Sequence, residues 1–185
     1  MSYFDDVCGD LRLARRVDGQ WVVELVDEGD DLVQSEIDRV GRFSSLAQDV
    51  SGNLRISYFD ETRGQLKLAV EQDGRFGIEV VDDGIDIDSR SRTRKVIVGA
   101  FSNIVVTNDG TQNIAYYDAT NQTLKLARRT TNDIEWSIDT LDSNNIAGMN
   151  ARLVPRGPQN ILSFQRLIPD TDSLRSELVW REVAP

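Results

Sequence analysis

The sequence contains no histidine, and this absence removes more enzyme classes than any motif in the chain supports. Without an imidazole, the chain cannot supply a histidine general acid or base, a Ser–His or Cys–His nucleophile pair, or a His-ligated zinc or iron site. The single cysteine, Cys8, can form neither an intrachain disulfide nor a Cys-rich metal cluster. No cofactor is therefore expected, and glycoside hydrolysis by two carboxylates is the one enzyme class kept open.

Long apolar runs and basic clusters are also missing. No run approaches the roughly 18 to 20 apolar residues of a spanning helix, so no membrane association is expected. A formal net charge of −10 repels phosphate backbones, so no nucleic-acid partner is expected either. The first residues lack the basic patch and apolar stretch of a secretory signal. A cytoplasmic location is expected if the chain is full length, and the location is otherwise unknown.

What the sequence does contain is one motif that occurs three times. The copies are SYFDDVCGDLRLA (2–14), ISYFDETRGQLKLA (56–69) and IAYYDATNQTLKLA (114–127). Their tyrosines follow one another at spacings of 55 and 58 residues, and an aspartate comes two residues after each tyrosine. These matched positions are Tyr3 and Asp5, Tyr58 and Asp60, and Tyr116 and Asp118. A weaker fourth copy begins at NILSFQR (160–166).

The segments around each copy complete a repeating unit of short strands. An aromatic residue (Trp21, Phe76 or Trp136) opens an acidic, β-rich segment after each copy. An apolar segment that ends in a turn signal, such as FSSLAQDVSG (43–52), leads into the motif. Apolar residues alternate with a period of two, as in LRISYFD (54–60), and no window predicts an amphipathic helix. Each unit therefore contains about four short strands.

A repeat of this size with four antiparallel strands is typical of one β-propeller blade. A single sheet cannot bury either of its apolar faces alone, so the copies are expected to stack face to face around an axis. The sequence predicts an all-β chain with one β-propeller-type repeat domain over 1–185 and about 3.5–4 four-stranded blades. The approximate units are 2–42, 43–94, 95–150 and 151–185. About 14 strands are expected, in two complete blades flanked by two partial ones. A β-sandwich or a β-prism is the alternative.

An incomplete ring would expose apolar sheet faces, which favours association. The expected partner is the chain itself, in a homodimer or a larger ring. The alternatives are that the chain is a piece of a longer propeller or closes on itself as a four-bladed ring. Trp180, in the unfinished fourth unit, is a possible anchor of such an interface.

The units resemble bacterial and fungal propeller repeats of the form I-x-Y-Y-D…L-x-x-A…W, and the resemblance covers nearly the whole chain. It implies a propeller architecture, which hosts many functions. The turns VDGQW, QDGRF and TNDIEW differ in spacing from the S-x-D-x-G-x-x-W turn of sialidase-like propellers. Fucose-type lectin propellers place Arg, Glu and Trp between adjacent blades. The matching residue types here are Arg12, Arg55, Glu24, Glu79, Trp21, Trp136 and Trp180.

The aspartates of the motif have a structural interpretation. Asp5, Asp60 and Asp118 stand where a strand runs into a turn, and a carboxylate there can accept hydrogen bonds from turn N–H groups. The alternating acids Asp83, Asp86 and Asp88 offer oxygen ligands for Ca²⁺, but they lack the spacing of an EF-hand loop. A solvated loop is the preferred interpretation of that segment, and no metal site is predicted.

The expected function is a non-catalytic binding or scaffolding module that self-associates. It would present inter-blade or loop surfaces to a protein or glycan partner. A carbohydrate-binding lectin with sugar sites between the blades is the first alternative. A glycoside hydrolase that uses a carboxylate pair is the second.

Overall fold

A computed structural model describes residues 1–30, 38–87, 91–156 and 159–183. In these ranges the chain forms strands and turns and has no helix. Within these ranges, no helix is long and apolar enough to cross a bilayer. The strands form four antiparallel sheets and one small hairpin, and in every sheet consecutive strands are neighbours.

The first sheet contains β1 (Ser2–Asp5), β2 (Asp10–Val17) and β3 (Gln20–Asp27). The second contains β4 (Val40–Gln48), β5 (Leu54–Asp60), β6 (Gln65–Gln72) and β7 (Arg75–Asp82). The hairpin of β8 (Ile85–Ile87) and β9 (Thr93–Lys95) follows. The third sheet contains β10 (Val98–Val106), β11 (Gln112–Asp118), β12 (Thr123–Arg129) and β13 (Ser137–Asp142). The fourth contains β14 (Ile146–Arg156), β15 (Gln159–Pro169) and β16 (Leu174–Val183).

The strand inventory confirms the all-β, propeller-type prediction. Two four-stranded sheets are flanked by two three-stranded sheets. Strands β4, β10 and β14 are the innermost strands of their sheets, and β10 packs against both β4 and β14. Two of them begin slightly before the expected unit starts, β4 at Val40 and β14 at Ile146, whereas β10 begins just after its expected start, at Val98. The hairpin of β8 and β9 lies where the sequence favoured a solvated loop.

The tyrosines of the motif occupy equivalent places in successive sheets. Each lies opposite the basic residue of its own L-[RK]-L-A segment, because the strand register is the same in every copy. The Cα pairs are Tyr3 with Arg12, Tyr58 with Lys67, and Tyr116 with Lys125. In the fourth sheet the same register pairs Phe164 with Val179. The repeat seen in the sequence is therefore a repeat in space.

The core consists of three clusters, one in each gap between successive sheets. Leucines from the third strand of one sheet pack against the second strand of the next, as Leu66 and Leu68 do against Tyr116. No such cluster joins the fourth sheet to the first within the described ranges. The alternative of a self-closed four-bladed ring is therefore wrong for this part of the chain, because the two terminal sheets each keep one uncovered face.

Glycines in the innermost strands permit this close stacking of sheets. A Cβ on Gly41 would lie 2.7 Å from the Leu11 Cα, and one on Gly99 would lie 2.9 Å from the Leu66 Cα. Gly148 has the same relation to the Leu124 Cα, at 2.9 Å. All three glycines also have φ near +110°, which side-chain-bearing residues rarely adopt.

Candidate functional site

Two of the three repeated tyrosines form buried hydrogen bonds between sheets. The Tyr58 hydroxyl donates to Asp27 Oδ2 at 2.6 Å, and the Tyr116 hydroxyl donates to Asp82 Oδ2 at 2.6 Å. Both tyrosines are 0% exposed. Burial and the adjacent carboxylate raise the pKa of each phenol well above its ordinary value. The hydroxyls are therefore held protonated as donors, which is a structural role.

The repeated aspartates lie beside these bridges and hold their own hairpins. Asp5 Oδ1 accepts the backbone N–H of Val7 at 3.1 Å. Asp60 Oδ1 accepts the N–H of Arg63, and Asp118 Oδ1 accepts the N–H of Asn121, each at 2.8 Å. The second carboxylate oxygen of each aspartate faces a cation, for example Lys67 Nζ at 3.0 Å from Asp60 Oδ2. These carboxylates are committed to turns and ion pairs.

The residue types that suggested a lectin are scattered, and most are engaged in ion pairs. Arg12 pairs with Asp5 and Asp10, each at 2.8 Å. Glu24 pairs with Arg15 at 2.7 Å, and Arg55 pairs with Asp49 at 2.9 Å. The indoles of Trp21 and Trp180 are both 67% exposed, on the outer strand of the first sheet and on the fourth sheet.

Two of those residues are brought together, by an arginine that the sequence analysis missed. Arg129 of the third sheet reaches Glu79 of the second with both guanidinium arms, at 3.1 and 2.5 Å. The same guanidinium lies 4.3 Å from the centre of the Trp136 ring. Both of its NH₂ groups are used in this contact, so the cluster is a closed clamp between two sheets rather than an open sugar site.

The acids considered for Ca²⁺ have other partners. Asp86 forms an ion pair with Arg94 at 2.9 Å across the β8–β9 hairpin, and that cation lowers the pKa of Asp86. Asp83 accepts the backbone N–H of Ile85 at 2.9 Å. Asp88 lies outside the described residues. In the ranges that are described, no group of three or more acidic or sulfur side chains is arranged to hold a metal ion.

An open cavity of about 420 Å³ lies where the three innermost strands meet. This axial cavity is defined by nine lining residues from β4, β10 and β14: Phe43, Ser44, Ser45, Leu46, Phe101, Ser102, Asn103, Asn150 and Arg152. Its volume lies in the range of ordinary small-molecule sites, about 300 to 1,000 Å³. Its lining has aromatic, hydroxyl, amide and guanidinium groups and no carboxylate.

Strained backbone at equivalent positions shapes the axial cavity. Phe43, Phe101 and Asn150 have φ of 54°, 55° and 53°, a left-handed conformation that is uncommon for residues other than glycine. Each sits at a β-bulge in its strand, two residues after the glycine that packs on the neighbouring sheet. Such strain costs about 1 to 3 kcal/mol per residue and concentrates at functional sites.

The two phenylalanines form an aromatic surface beside polar groups. Their ring centroids are 4.5 Å apart, with 44° between the planes, and Phe43 keeps 41% of its surface exposed. Ser45 Oγ accepts the Asn103 amide N–H at 2.9 Å and the Ile104 backbone N–H at 3.2 Å, which leaves its own proton free to donate. Asn103 Oδ1 accepts the Leu153 N–H at 2.6 Å. The polar groups of three sheets are thus locked around one aromatic pair.

None of these cavity residues was identified from the sequence. Their signal was present as a second, shorter repeat, VGRFSS (40–45), VGAFSN (98–103) and AGMNAR (147–152). It was hidden because the segments read as plain apolar strands, and the bulge that turns the fourth residue of each copy into the cavity has no alternation pattern of its own.

The chain was compared with protein families, with curated proteins and with solved structures. No family model matches the chain. No curated protein matches it either. A GH43 β-1,3-galactosidase bound to galactodeoxynojirimycin matches with a TM-score of 0.54 and 11% identity, over 89% of this chain and 64% of that one.

Two further structures share the fold at similar distance. A bifunctional GH43-CE protein of Bacteroides eggerthii has a TM-score of 0.52 and 12% identity, over 99% of this chain and 24% of that one. A Trypanosoma rangeli sialidase in complex with sialic acid has a TM-score of 0.51 and 12% identity, over 94% and 32%. This chain spans less than two thirds of each of these proteins. At such identities the likeness shows the fold alone, and that fold is the β-propeller.

Proposed function

We propose that this chain is a non-catalytic binding module whose axial cavity holds a neutral saccharide. The observation that carries the proposal is the repeated left-handed bulge, which places Phe43 and Phe101 in the cavity among serine, asparagine and arginine groups. Keeping this strain in two phenylalanines is favoured where the geometry serves a ligand. The cavity lies at the junction of three sheets, so one ligand would contact all of them.

The chemistry of the lining suits a sugar. A pyranose ring has apolar C–H faces that pack on an aromatic ring, and hydroxyls that both donate and accept hydrogen bonds. The exposed Phe43 ring would take the apolar face, while Ser45 Oγ and the Arg152 guanidinium would bind hydroxyls. Because the lining has one cation and no anion, a neutral or weakly acidic ligand fits better than a basic one.

The axial cavity has no carboxylate in its lining, which argues against hydrolysis of a sugar bound there. Glycoside hydrolysis requires two carboxyl groups about 5 to 10 Å apart beside the bound sugar. Asp27 and Asp60 do approach each other, since both contact Lys67 Nζ, at 3.5 and 3.0 Å. However, they are 9% and 0% exposed, and the first also accepts the Tyr58 hydroxyl. The pair is a buried structural bridge that a substrate cannot reach.

The test is a screen of neutral mono- and oligosaccharides by calorimetry or ligand-observed NMR, followed by variants. Phe43→Ala should weaken binding of any hit by about tenfold, which corresponds to about 1.4 kcal/mol. Arg152→Ala should weaken it by a similar factor. Trp21→Ala, which also removes an exposed aromatic ring but lies far out on β3, should leave the affinity unchanged.

Three outcomes contradict the proposal. A complete lack of saccharide binding would remove the ligand class. Loss of affinity in Trp21→Ala or Trp136→Ala, with Phe43→Ala intact, would move the site to the gaps between sheets. Release of free monosaccharide from a bound oligosaccharide would make the chain a hydrolase. Thermal melts of each variant show whether a loss of binding reflects unfolding instead.

A further inference from the structure

The fourth sheet has an uncovered face. The equivalent positions in the other three sheets are buried. Strand register places Leu178 at the position of Leu66, since they lie opposite Gln165 and Phe59. It places Trp180 at the position of Leu68, since they lie opposite Ser163 and Ser57. Leu66 and Leu68 are both 0% exposed, because the third sheet covers them. Leu178 and Trp180, at the same two positions, are 80% and 67% exposed.

The first sheet has the complementary uncovered face. Tyr3 occupies the position of Tyr58, yet it is half-buried whereas Tyr58 is fully buried. Arg12, at the position of Lys67, keeps 25% of its side chain exposed, against 5% for the lysine. The difference arises because no sheet in the described ranges lies on this side of β1 and β2.

The three contacts inside the chain follow one rule. The leucine pair of one sheet packs on the aromatic residue of the next: Leu11 and Leu13 contact Tyr58. Leu66 and Leu68 contact Tyr116 in the same way. The third contact sets Leu124 and Leu126 against Phe164. An alanine, Ala69 or Ala127, accompanies the tyrosine in the first two contacts, and Ala14 accompanies Tyr3.

We infer that the two uncovered faces bind each other between two copies of this chain. The face of Leu178 and Trp180 on one copy covers the face of Tyr3 and Ala14 on the other. The contact is the fourth instance of an interface that the fold already makes three times, so its shape and apolar chemistry are set by the repeat. Two such contacts, related by a two-fold axis, close a ring of eight sheets and cover both of the terminal sheet faces that a single chain exposes.

Closure would also complete the proposed binding site. The axial cavity is lined by β4, β10 and β14 alone and is open on the remaining side. In the closed ring, the innermost strands of the second copy stand opposite. The inference does not depend on the proposed function, since it rests on sheet faces that lie outside the cavity.

The test begins with mass in solution, by sedimentation velocity over a concentration series. The expected species has twice the chain mass of 20.8 kDa. Trp180→Glu should give a monomer with an unchanged circular dichroism spectrum, because it places a charge in the contact. Ile134→Glu is the matched control, since Ile134 is 93% exposed on a turn of the third sheet, and it should stay dimeric.

A mixing experiment tests which faces meet. Tyr3→Glu should also give a monomer, because it places a charge on the opposite face. An equimolar mixture of Trp180→Glu and Tyr3→Glu should recover a dimer, since one of the two contacts then has both native faces. The dimer should strengthen at higher salt, because each copy carries a net charge of −10 and salt screens their repulsion.

The outcomes that overturn the inference are distinct. A wild-type chain that remains at the monomer mass over the whole series overturns it outright. Dimers that survive Trp180→Glu show that another surface associates. A mixture of the two variants that stays monomeric contradicts the head-to-tail contact.

Discussion

The gap between the second and third sheets and the gap between the third and fourth have the same backbone arrangement, but different side chains satisfy the buried carboxylate in each. In the first gap, Asp82 accepts the Tyr116 hydroxyl at 2.6 Å and faces Lys125 at 3.3 Å. In the second gap, Asp142 stands at the equivalent strand end. It accepts Arg166 at 2.6 Å and Arg181 at 2.8 Å.

Two residue changes in the fourth copy of the motif explain why the donors to the carboxylate differ. Strand register aligns Phe164 with Tyr116, so the fourth sheet has lost the hydroxyl donor. The same alignment puts Arg166 where Asp118 stands, which replaces an anion by a cation. The element common to both gaps is therefore the carboxylate at the end of the outer strand. Its donors can be rebuilt as long as the carboxylate is satisfied.

The largest loss of stability should come from removing the carboxylate of Asp142, to which two arginines donate. Asp142→Asn deprives Arg181 of its ion-pair partner and leaves Arg166 with Glu177, at 3.7 Å. Breaking a buried ion pair in this way costs about 3 to 5 kcal/mol. Asp82→Asn should cost less, because its cation, Lys125, keeps Asp118 at 3.7 Å, whereas Asp142→Asn deprives Arg181 of its carboxylate. Urea unfolding of the two variants measures the difference, and equal losses would contradict the comparison.

Acid provides a second readout for Asp142. Burial alone would raise the pKa of Asp142, but the Asn144 N–H, Arg166 and Arg181 together hold it below the ordinary value. Its contribution to stability is therefore present above the unfolded pKa, about 4, and is lost as the pH falls through the folded value. The gap in unfolding free energy between wild type and Asp142→Asn should narrow below pH 4. A gap that stays constant would rule out this assignment.

A large loss of stability that does not involve charge is expected when the glycines of the innermost strands are substituted. Gly99→Ala would put a Cβ 2.9 Å from the Leu66 Cα at a φ of +107°. Overpacking costs about 1 to 3 kcal/mol, and the left-handed backbone adds about 1 to 2. Gly148→Ala should cost about the same, since its approach to Leu124 is equal. The two gaps should thus be alike in packing while they differ in charge.

The matched control is Gly74→Ala. Gly74 has φ of +73°, and nothing lies within 4 Å of its added Cβ. It isolates the backbone strain from the clash, so its melting temperature should fall by clearly less than that of Gly99→Ala. If the two fall equally, close packing of the sheets is not the reason for the glycine.

These glycines also show where sequence reasoning succeeded and where it stopped. The repeat of Tyr58 and Tyr116 was legible because β-strands alternate with a fixed period, and a matched spacing predicts matched positions. Partners in the next sheet, such as Asp27 for Tyr58, lie about 30 residues away with no local pattern. Which strand ends meet is decided by the stacking of sheets, so the bridges could not be read from the sequence.

The axial cavity was missed for a related reason. Phe43 and Phe101 look like core residues of apolar strands, and only the bulge reverses their direction. A bulge depends on the register with a neighbouring strand, which a sequence states only indirectly. In the fourth sheet, Trp180 was predicted as an interface anchor, but Leu178 was hidden, because the register of both residues to Leu68 and Leu66 emerges only from the pairing with β15.

Alkaline pH should weaken the hydrogen bonds of Tyr58 and Tyr116 to their aspartates. It should leave the ion pairs of Asp142 with its two arginines unchanged. Burial and the adjacent carboxylates raise the pKa of Tyr58 and Tyr116 far above the unfolded value of about 10. Their contribution is full below pH 10 and falls as the unfolded state ionises above it, by about 1.4 kcal/mol per pH unit for each tyrosine.

The double variant Tyr58→Phe with Tyr116→Phe removes this dependence. Its unfolding free energy should decline less steeply than that of wild type between pH 10 and 11. Absorbance of phenolate at 295 nm provides the direct check, because these two tyrosines should ionise only when the protein unfolds. Equal slopes for wild type and the double variant would contradict the interpretation of the bridges.

The smallest and most discriminating effects should come from a reciprocal exchange of Tyr116 and Phe164. Tyr116→Phe removes a buried hydrogen bond to a charged acceptor and should cost about 1.5 to 3 kcal/mol. Phe164→Tyr offers Asp142 a new hydroxyl, but Oδ2 already accepts two arginines and Oδ1 accepts the Asn144 N–H at 2.9 Å. The added donor can only displace a guanidinium, so the gain should be within about 0.5 kcal/mol of zero. A clear stabilisation by Phe164→Tyr would mean that Asp142 is under-satisfied, and the two gaps would then differ in how well their carboxylates are paired rather than only in which donors pair with them.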